Sequence, residues 1–113
     1  MEFMTDPDKD IFRQISEDKI DLDTPGFYWR SHYRSAYIYF VENESVIPFY
    51  CELPGVNYLD VLIFGETEFI EKRYYPGGEK VELLPFEERL RIQGLLVKWL
   101  SEKGCRHDIK AGQ

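Results

Sequence analysis

The amino-acid sequence predicts an α+β domain: a single antiparallel β-sheet of about four to six strands, a long C-terminal amphipathic helix packed on one face, and a short N-terminal helix. Three observations predict this class. Two neighbouring segments match as a β-hairpin, an apolar stripe with helical spacing lies near the C-terminus, and short extended segments bounded by proline and glycine lie between them. We expect residues 1–113 to form one domain that is frayed at residues 1–6 and 110–113.

A short helix is predicted near the N-terminus, over residues 7–17. Asp6 can cap this helix, and Pro7 is tolerated at the first helical position because an N–H there would have no partner. Three apolar residues share one helical face at spacings of three and four: Ile11, Phe12 and Ile15. A polar connector over residues 19–26 follows the helix.

The hairpin is the strongest local signal, because one register satisfies both of its faces. With residues 42–45 as the loop, similar residues pair across the strands: Val41 with Val46, Phe40 with Ile47, Ile38 with Phe49, and Tyr37 with Tyr50. Because side chains alternate along a strand, one face carries Ala36, Ile38, Phe40, Ile47, Phe49 and Cys51. The other face carries Tyr37, Tyr39 and Tyr50, and we expect these phenols to contact solvent.

Further strands are predicted at residues 27–30, 57–64, 68–75 and 80–83. Residues 57–64 are apolar on both faces, which is typical of a central strand covered on both sides. The last strand alternates so that Val81 and Leu83 point inward. Pro48 has no amide hydrogen, which favours an edge position or a bulge for the second hairpin strand.

The best-defined helix is predicted over Pro85–Lys103. Proline begins it, Glu87 and Glu88 lie in its first turn, and Gly104 ends it. Its apolar stripe is wide enough to cover one face of the sheet. The predicted core is Ile38, Phe40, Ile47, Phe49, Leu59, Val61, Ile63, Leu90, Leu96, Trp99 and Leu100.

Composition and charge restrict the class of partner. The formal net charge is −7, and this field opposes nucleic acid and favours a basic protein or a cationic ligand. No segment approaches the ~18 apolar residues of a membrane span. The chain lacks an apolar signal segment and has two cysteines, so we expect a cytoplasmic protein with reduced thiols that binds neither nucleic acid nor membranes.

Aromatic and cationic residues interleave over residues 28–34, as they do in surfaces that stack ligands. Tyrosine, tryptophan and arginine are also the residue types enriched at interface hot spots. In the alternative interpretation, the aromatic residues anchor the core and the arginines pair with the surplus carboxylates. The candidate binding residues are Tyr28, Trp29, Arg30, His32, Tyr37, Tyr39 and Tyr50.

No catalytic or metal-binding motif is evident. Cys105 and His107 lie two residues apart just after the C-terminal helix, without the paired short spacings that zinc sites usually have. A histidine such as His32 could act as a general base, but the sequence places no partner beside it. We therefore predict no catalytic residue, no metal and no cofactor.

These observations predict a small acidic protein-interaction module, of the inhibitor or immunity type, that binds a basic partner through the tyrosine-rich face of the sheet. One alternative is a small-molecule binding protein with an aromatic pocket. Another is a small enzyme that uses His32 and His107 as acid and base groups. Self-association as a homodimer, through the same tyrosine face or through an open strand edge, competes with binding of a different partner.

Overall fold

The computed structural model describes residues 5–53 and 62–109. Within them, a six-stranded antiparallel sheet lies between two helices, which confirms the predicted fold class. The elements in chain order are α1 (Asp6–Glu17), β1 (Gly26–His32), β2 (Ser35–Glu42), β3 (Ser45–Glu52), β4 (Leu62–Ile63), a 3₁₀ turn (Thr67–Phe69), β5 (Lys72–Tyr75), β6 (Lys80–Leu83) and α2 (Phe86–Glu102).

The hairpin register is confirmed. Strand β2 pairs with β3 so that Ile38 lies opposite Phe49 and Tyr37 lies opposite Tyr50. The strand order is β1-β2-β3-β5-β6, and the short β4 also pairs with β3. The first predicted strand is longer than expected, because Gly26 to His32 all pair with β2.

The aliphatic and aromatic face of the hairpin packs against α2. Ile92, Leu96 and Leu100 of α2 lie in one buried cluster with Ile38 and Phe49. Most of the described residues in the predicted core are buried, while Leu90 and Trp99 are only half-buried and Leu59 and Val61 lie outside the described residues. Of the helices in the described part of the chain, none is long and apolar enough to cross a membrane.

The tyrosine face of the sheet is covered by α1 over part of its length, which corrects the expectation that its phenols all contact solvent. Tyr39 has 0% of its surface exposed and lies in a second buried cluster with Ile15 and Tyr74. Phe12 of α1 meets the ring of Tyr74 edge to face, with centroids 5.3 Å apart. The domain therefore has three layers, because the apolar stripe of α1 needs a surface to cover.

Several sequence-based predictions in the second half of the sheet were wrong. The strand predicted over 68–75 is a 3₁₀ turn followed by the four residues of β5. Leu83 is exposed, and the following Leu84 is buried in its place. The predicted central strand 57–64 is untested over residues 57–61, which lie outside the described residues; of residues 62–64, Leu62–Ile63 form a strand.

Pro48 does not lie on an edge strand. Strand β3 pairs with β2 on one side, and its other side is shared by β5, which pairs at Val46, and β4, which pairs at Cys51 and Glu52. Pro48 lies between those two pairings, where β3 changes partner. A residue without an amide hydrogen is tolerated at such a break in the ladder.

The β2–β3 turn carries backbone strain. Glu42 pairs with Ser45, so the loop is the two residues Asn43 and Glu44, and their φ angles are +51° and +60°. A two-residue hairpin loop with both φ angles positive matches the twist of the strands and favours Asn-Gly. Asparagine suits the first position, whereas glutamate has no such advantage at the second.

We expect Glu44→Gly to stabilise the protein by about 0.5–1 kcal/mol. A residue with a side chain pays roughly 1–2 kcal/mol for the left-handed conformation, and glycine removes this cost. Because glycine has more conformational freedom in the unfolded chain, up to about 1 kcal/mol of this gain in stability is lost. Urea unfolding followed by circular dichroism measures the change. Glu44→Ala removes the same carboxylate without relieving the strain, so equal stability of the two variants would contradict this account.

Candidate binding cleft

An open cleft of about 460 Å³ lies on the α1 side of the sheet, beyond the N-terminal end of that helix. Its floor is the region where β3 changes partner at Pro48, and its walls come from α1, β2, β5 and the segment between β4 and β5. We call this site the aromatic cleft. Its lining residues are Pro7, Asp8, Ile11, Tyr37, Ile47, Pro48, Tyr50, Phe64, Phe69, Ile70, Glu71, Lys72 and Tyr74.

Four rings form a continuous row along the cleft. Tyr37 meets Tyr50 at 66° with centroids 5.7 Å apart, and Tyr50 stacks on Phe64 at the same distance. Phe64 meets Phe69 at 80° and 5.3 Å. Tyr50 and Phe69 remain 39% and 49% exposed, so the row presents aromatic surface to solvent.

The tyrosine hydroxyls in this row are available to a ligand. Neither Tyr37 nor Tyr50 makes a side-chain hydrogen bond to any of residues 5–53 or 62–109. Burial, together with the nearby Tyr50 and Asp18, raises the pKa of Tyr37. The Tyr37 phenol therefore remains protonated at neutral pH and can donate or accept a hydrogen bond.

A buried carboxylate closes the α1 side of the cleft. Asp8 accepts hydrogen bonds from Lys72 Nζ at 3.0 and 3.2 Å and from Tyr74 Oη at 3.0 Å. Asp8 also forms a capping box with Thr5, which caps α1 in place of the predicted Asp6. Burial raises the pKa of Asp8, but the bonds from Thr5, Lys72 and Tyr74 outweigh that effect, so its pKa lies below the usual value.

The charge left in the cleft is negative. Three charged residues line it, and Lys72 is neutralised by Asp8. The remaining one, Glu71, is exposed, and its carboxylate has no ion pair or hydrogen bond with any described residue. Tyr74 has a raised pKa, chiefly through burial and Asp8, and the negative charge of Glu71 adds to that rise.

A second buried carboxylate holds the other end of α1. Asp18, the C-cap residue of the helix, accepts hydrogen bonds from Tyr39 Oη and from Gln14 Nε2. His32 Nε2 lies 2.9 Å from Asp18 Oδ1, and Arg30 Nε donates to the Asp18 carbonyl at 2.9 Å. This network explains why Tyr39 can be buried: its hydroxyl has a partner in the interior.

The structure separates the sequence-predicted binding residues into different environments. Tyr37 and Tyr50 line the aromatic cleft, whereas Tyr39 and His32 bind Asp18 beneath α1. Tyr28 is half-buried, donates to the Thr24 carbonyl at 2.5 Å, and has the Arg30 guanidinium 5.9 Å from its ring centroid. Trp29 pairs with Ile38 and so lies on the α2 face, 37% exposed.

Of the residues that line the cleft, only Tyr37 and Tyr50 were predicted as binding residues; among those that sequence reasoning missed are Asp8, Phe64, Phe69 and Lys72. A threonine followed three residues later by an acidic residue is a capping-box pattern, and this signal was available for Asp8 at the start of α1. No local pattern identifies the other three, because they reach the cleft through the pairing of β4 and β5 with β3.

The groups considered for catalysis do not converge. His32 is bound to Asp18, and His107 Nδ1 lies 3.0 Å from the Cys105 carbonyl oxygen. Burial raises the pKa of Cys51 to about 12, which keeps its thiol protonated and unreactive at neutral pH. Among the described residues, no three His, Cys, Asp or Glu side chains are close enough together to hold a metal ion.

Comparison of the chain with protein-family models, with curated protein sequences and with solved structures gave no match. Its function must therefore be inferred from the side chains of the cleft and from the charge of the molecule.

We expect Asp8→Asn to destabilise the protein by about 1–3 kcal/mol at pH 7, because it removes one charge of a part-buried ion pair and leaves Lys72 unpaired. The folded pKa of Asp8 lies below its unfolded value, so its stabilisation is present above about pH 4 and is lost as the pH falls through the folded pKa. The stability difference between the wild type and the variant should therefore narrow at low pH.

Urea unfolding at pH 7 and at pH 3 measures both effects. Asp10→Asn is the matched control, since Asp10 lies on the same helix but is exposed and forms a surface ion pair with Arg13. That variant should change stability by less than about 0.5 kcal/mol. If the difference in unfolding free energy between the wild type and Asp8→Asn stays constant from pH 7 to pH 3, the role assigned to the Asp8 charge is contradicted.

Proposed function

We propose that this chain is a protein-interaction module that binds a partner protein through the aromatic cleft. The observation that carries this proposal is the row of four contacting rings, Tyr37, Tyr50, Phe64 and Phe69, on the part of the sheet that α1 leaves uncovered. Partly exposed aromatic rings around a concave site are typical of interface hot spots.

The charge of the molecule supports a basic partner. The net charge of −7 attracts a basic protein over several ångströms and speeds its encounter with the cleft. An acidic protein that covers a site on a basic target would act as its inhibitor, and we propose an inhibitory or immunity role on this ground. The hydroxyls of Tyr37 and Tyr50, which bond to no residue within 5–53 or 62–109, would supply polar contacts at the centre of such an interface.

The proposed interface differs from the one expected from the sequence alone. Tyr39 and His32 would act beneath it, because they hold Asp18 and thereby α1 in position. Tyr37 and Tyr50 remain in the interface, and Phe64 and Phe69 join them. Trp29 lies on the opposite face of the sheet and has no part in this proposal.

Binding of a small molecule in the same cleft is a second candidate function. A volume of about 460 Å³ lies within the range of about 300–1,000 Å³ that is usual for ligand sites. A second copy of the chain could also cover the cleft, as the sequence-based homodimer hypothesis requires. Catalysis gains no support, since His32 and His107 are each held by other groups.

The double variant Tyr50→Ala, Phe69→Ala should keep the fold and lose the partner, with affinity falling at least about tenfold. The measurement is affinity capture from cell extract with quantitative mass spectrometry, followed by calorimetry with the purified partner. Leu83→Ala, Phe86→Ala is the matched control, because both residues are exposed and apolar but lie outside the cleft. If the cleft variant and the control capture the same proteins at the same level, the proposal is wrong.

Two further measurements separate the alternatives. Light scattering across a concentration series would show a dimer, and the cleft variant should dissociate it if a second copy is the occupant. If the occupant is a small ligand, a compound in a metabolite screen should raise the unfolding temperature of the wild type but not that of the cleft variant. If the occupant of the cleft is instead a partner protein, the isolated chain stays monomeric and its unfolding temperature does not change in that screen.

A further inference from the structure

We propose that the aromatic cleft is the binding site for one arginine side chain of the partner. This inference rests on the proposed function and specifies the chemistry of the group that enters the cleft. Three features of the cleft carry it: the mutual inclination of the rings, the negative charge that remains after internal pairing, and two phenol oxygens with no hydrogen-bond partner in the described part of the chain.

The rings are inclined so that they form corners. Phe64 and Phe69 meet at 80°, and Tyr37 and Tyr50 meet at 66°. Two rings at nearly right angles offer a cation the face of one and the oxygen or face of the other, as aromatic cages for organic cations do. A planar guanidinium can also stack on an aromatic face, and it is more weakly hydrated than an ammonium group.

The charge of the cleft favours a ligand of positive charge. Lys72 would attract an anion if it were free, but both oxygens of the buried Asp8 accept hydrogen bonds from it. The Glu71 carboxylate, which also lines the cleft, has no ion-pair partner among the described residues and lies in the field of the net charge of −7. The cleft is therefore unsuited to a carboxylate or phosphate and suited to a cation.

The hydrogen-bonding groups favour arginine in particular. A guanidinium has five N–H donors and no acceptor. Glu71 can accept two of them side by side, and the oxygens of Tyr37 and Tyr50 can accept others, since neither is bonded to another described residue. The aliphatic stem would lie against Pro48 and Ile70, which also line the cleft.

The test uses two probes with neutral backbones and side chains of similar length and shape, one charged and one uncharged. These are N-acetyl-arginine methylamide and its citrulline analogue, titrated separately into the full chain with ring resonances followed by nuclear magnetic resonance. We expect saturable shifts at Tyr37, Tyr50, Phe64 and Phe69 with the arginine probe, and at least about tenfold weaker binding of the citrulline probe. Binding of the arginine probe should weaken as the salt concentration rises.

Glu71→Gln should lower the affinity for the arginine probe about five- to tenfold and leave the affinity for the citrulline probe unchanged. Glu102→Gln is the matched control, because that exposed glutamate lies at the far end of α2, outside the cleft, and its loss should change neither affinity. Equal affinity for the two probes, or an unchanged arginine affinity in Glu71→Gln, would overturn the arginine assignment.

The outcomes distinguish this inference from the proposed function. If both probes bind equally, the cleft binds uncharged or apolar groups, and the inference fails while the interaction proposal stands. If neither probe shifts the rings but the Tyr50→Ala, Phe69→Ala variant loses its partner, the inference again fails alone. If that variant keeps its partner, the proposed function fails, whatever the probes do.

Discussion

The register of the β2–β3 hairpin is the constraint on which the rest of the structure depends. Because side chains alternate along a strand, this one register turns Ile38 and Phe49 towards α2 and turns Tyr37 and Tyr39 towards α1. A slip of one residue would reverse both faces, placing phenols in the apolar layer and isoleucines beneath α1. The two helices therefore cover chemically different surfaces, one apolar and one lined with hydroxyl groups.

The hydroxyl groups on the second face explain how a short amphipathic helix is held there. Each end of α1 carries a buried carboxylate that binds a tyrosine of the sheet: Asp8 binds Tyr74, and Asp18 binds Tyr39. Lys72 and His32 supply further donors to the two carboxylates. Hydrogen bonds to charged groups are stronger and more directional than apolar contacts, so they fix the position of the helix along the sheet as well as its attachment.

That position determines where the aromatic cleft lies. A helix of 12 residues is about 18 Å long, whereas the eight residues of β3 extend about 26 Å, so α1 cannot cover the whole face. The uncovered end coincides with the change of strand partner at Pro48, where the surface is concave and aromatic. The location of the cleft and the exposure of its aromatic rings are thus consequences of where the helix is attached.

The prediction from sequence succeeded where local periodicity carries the information. The hairpin register, the existence of both helices and the apolar stripe of α2 all follow from spacings of two or of three to four residues, which the chain displays without reference to distant partners. It failed where the hydrophobic pattern is weak, as at Leu83 and Leu84, and at Pro48, whose break in the ladder occurs inside the sheet.

The sequence by itself determined which residues share a face of the hairpin, and it marked Tyr37 and Tyr50 as candidates for binding. Only the tertiary structure decided that Tyr39 is buried and that Phe64, Phe69 and Glu71 complete the cleft. The reason is the range of the contacts involved: Asp8 meets partners 64 and 66 positions away in the chain. Such contacts depend on the packing of whole elements, and no local pattern records them.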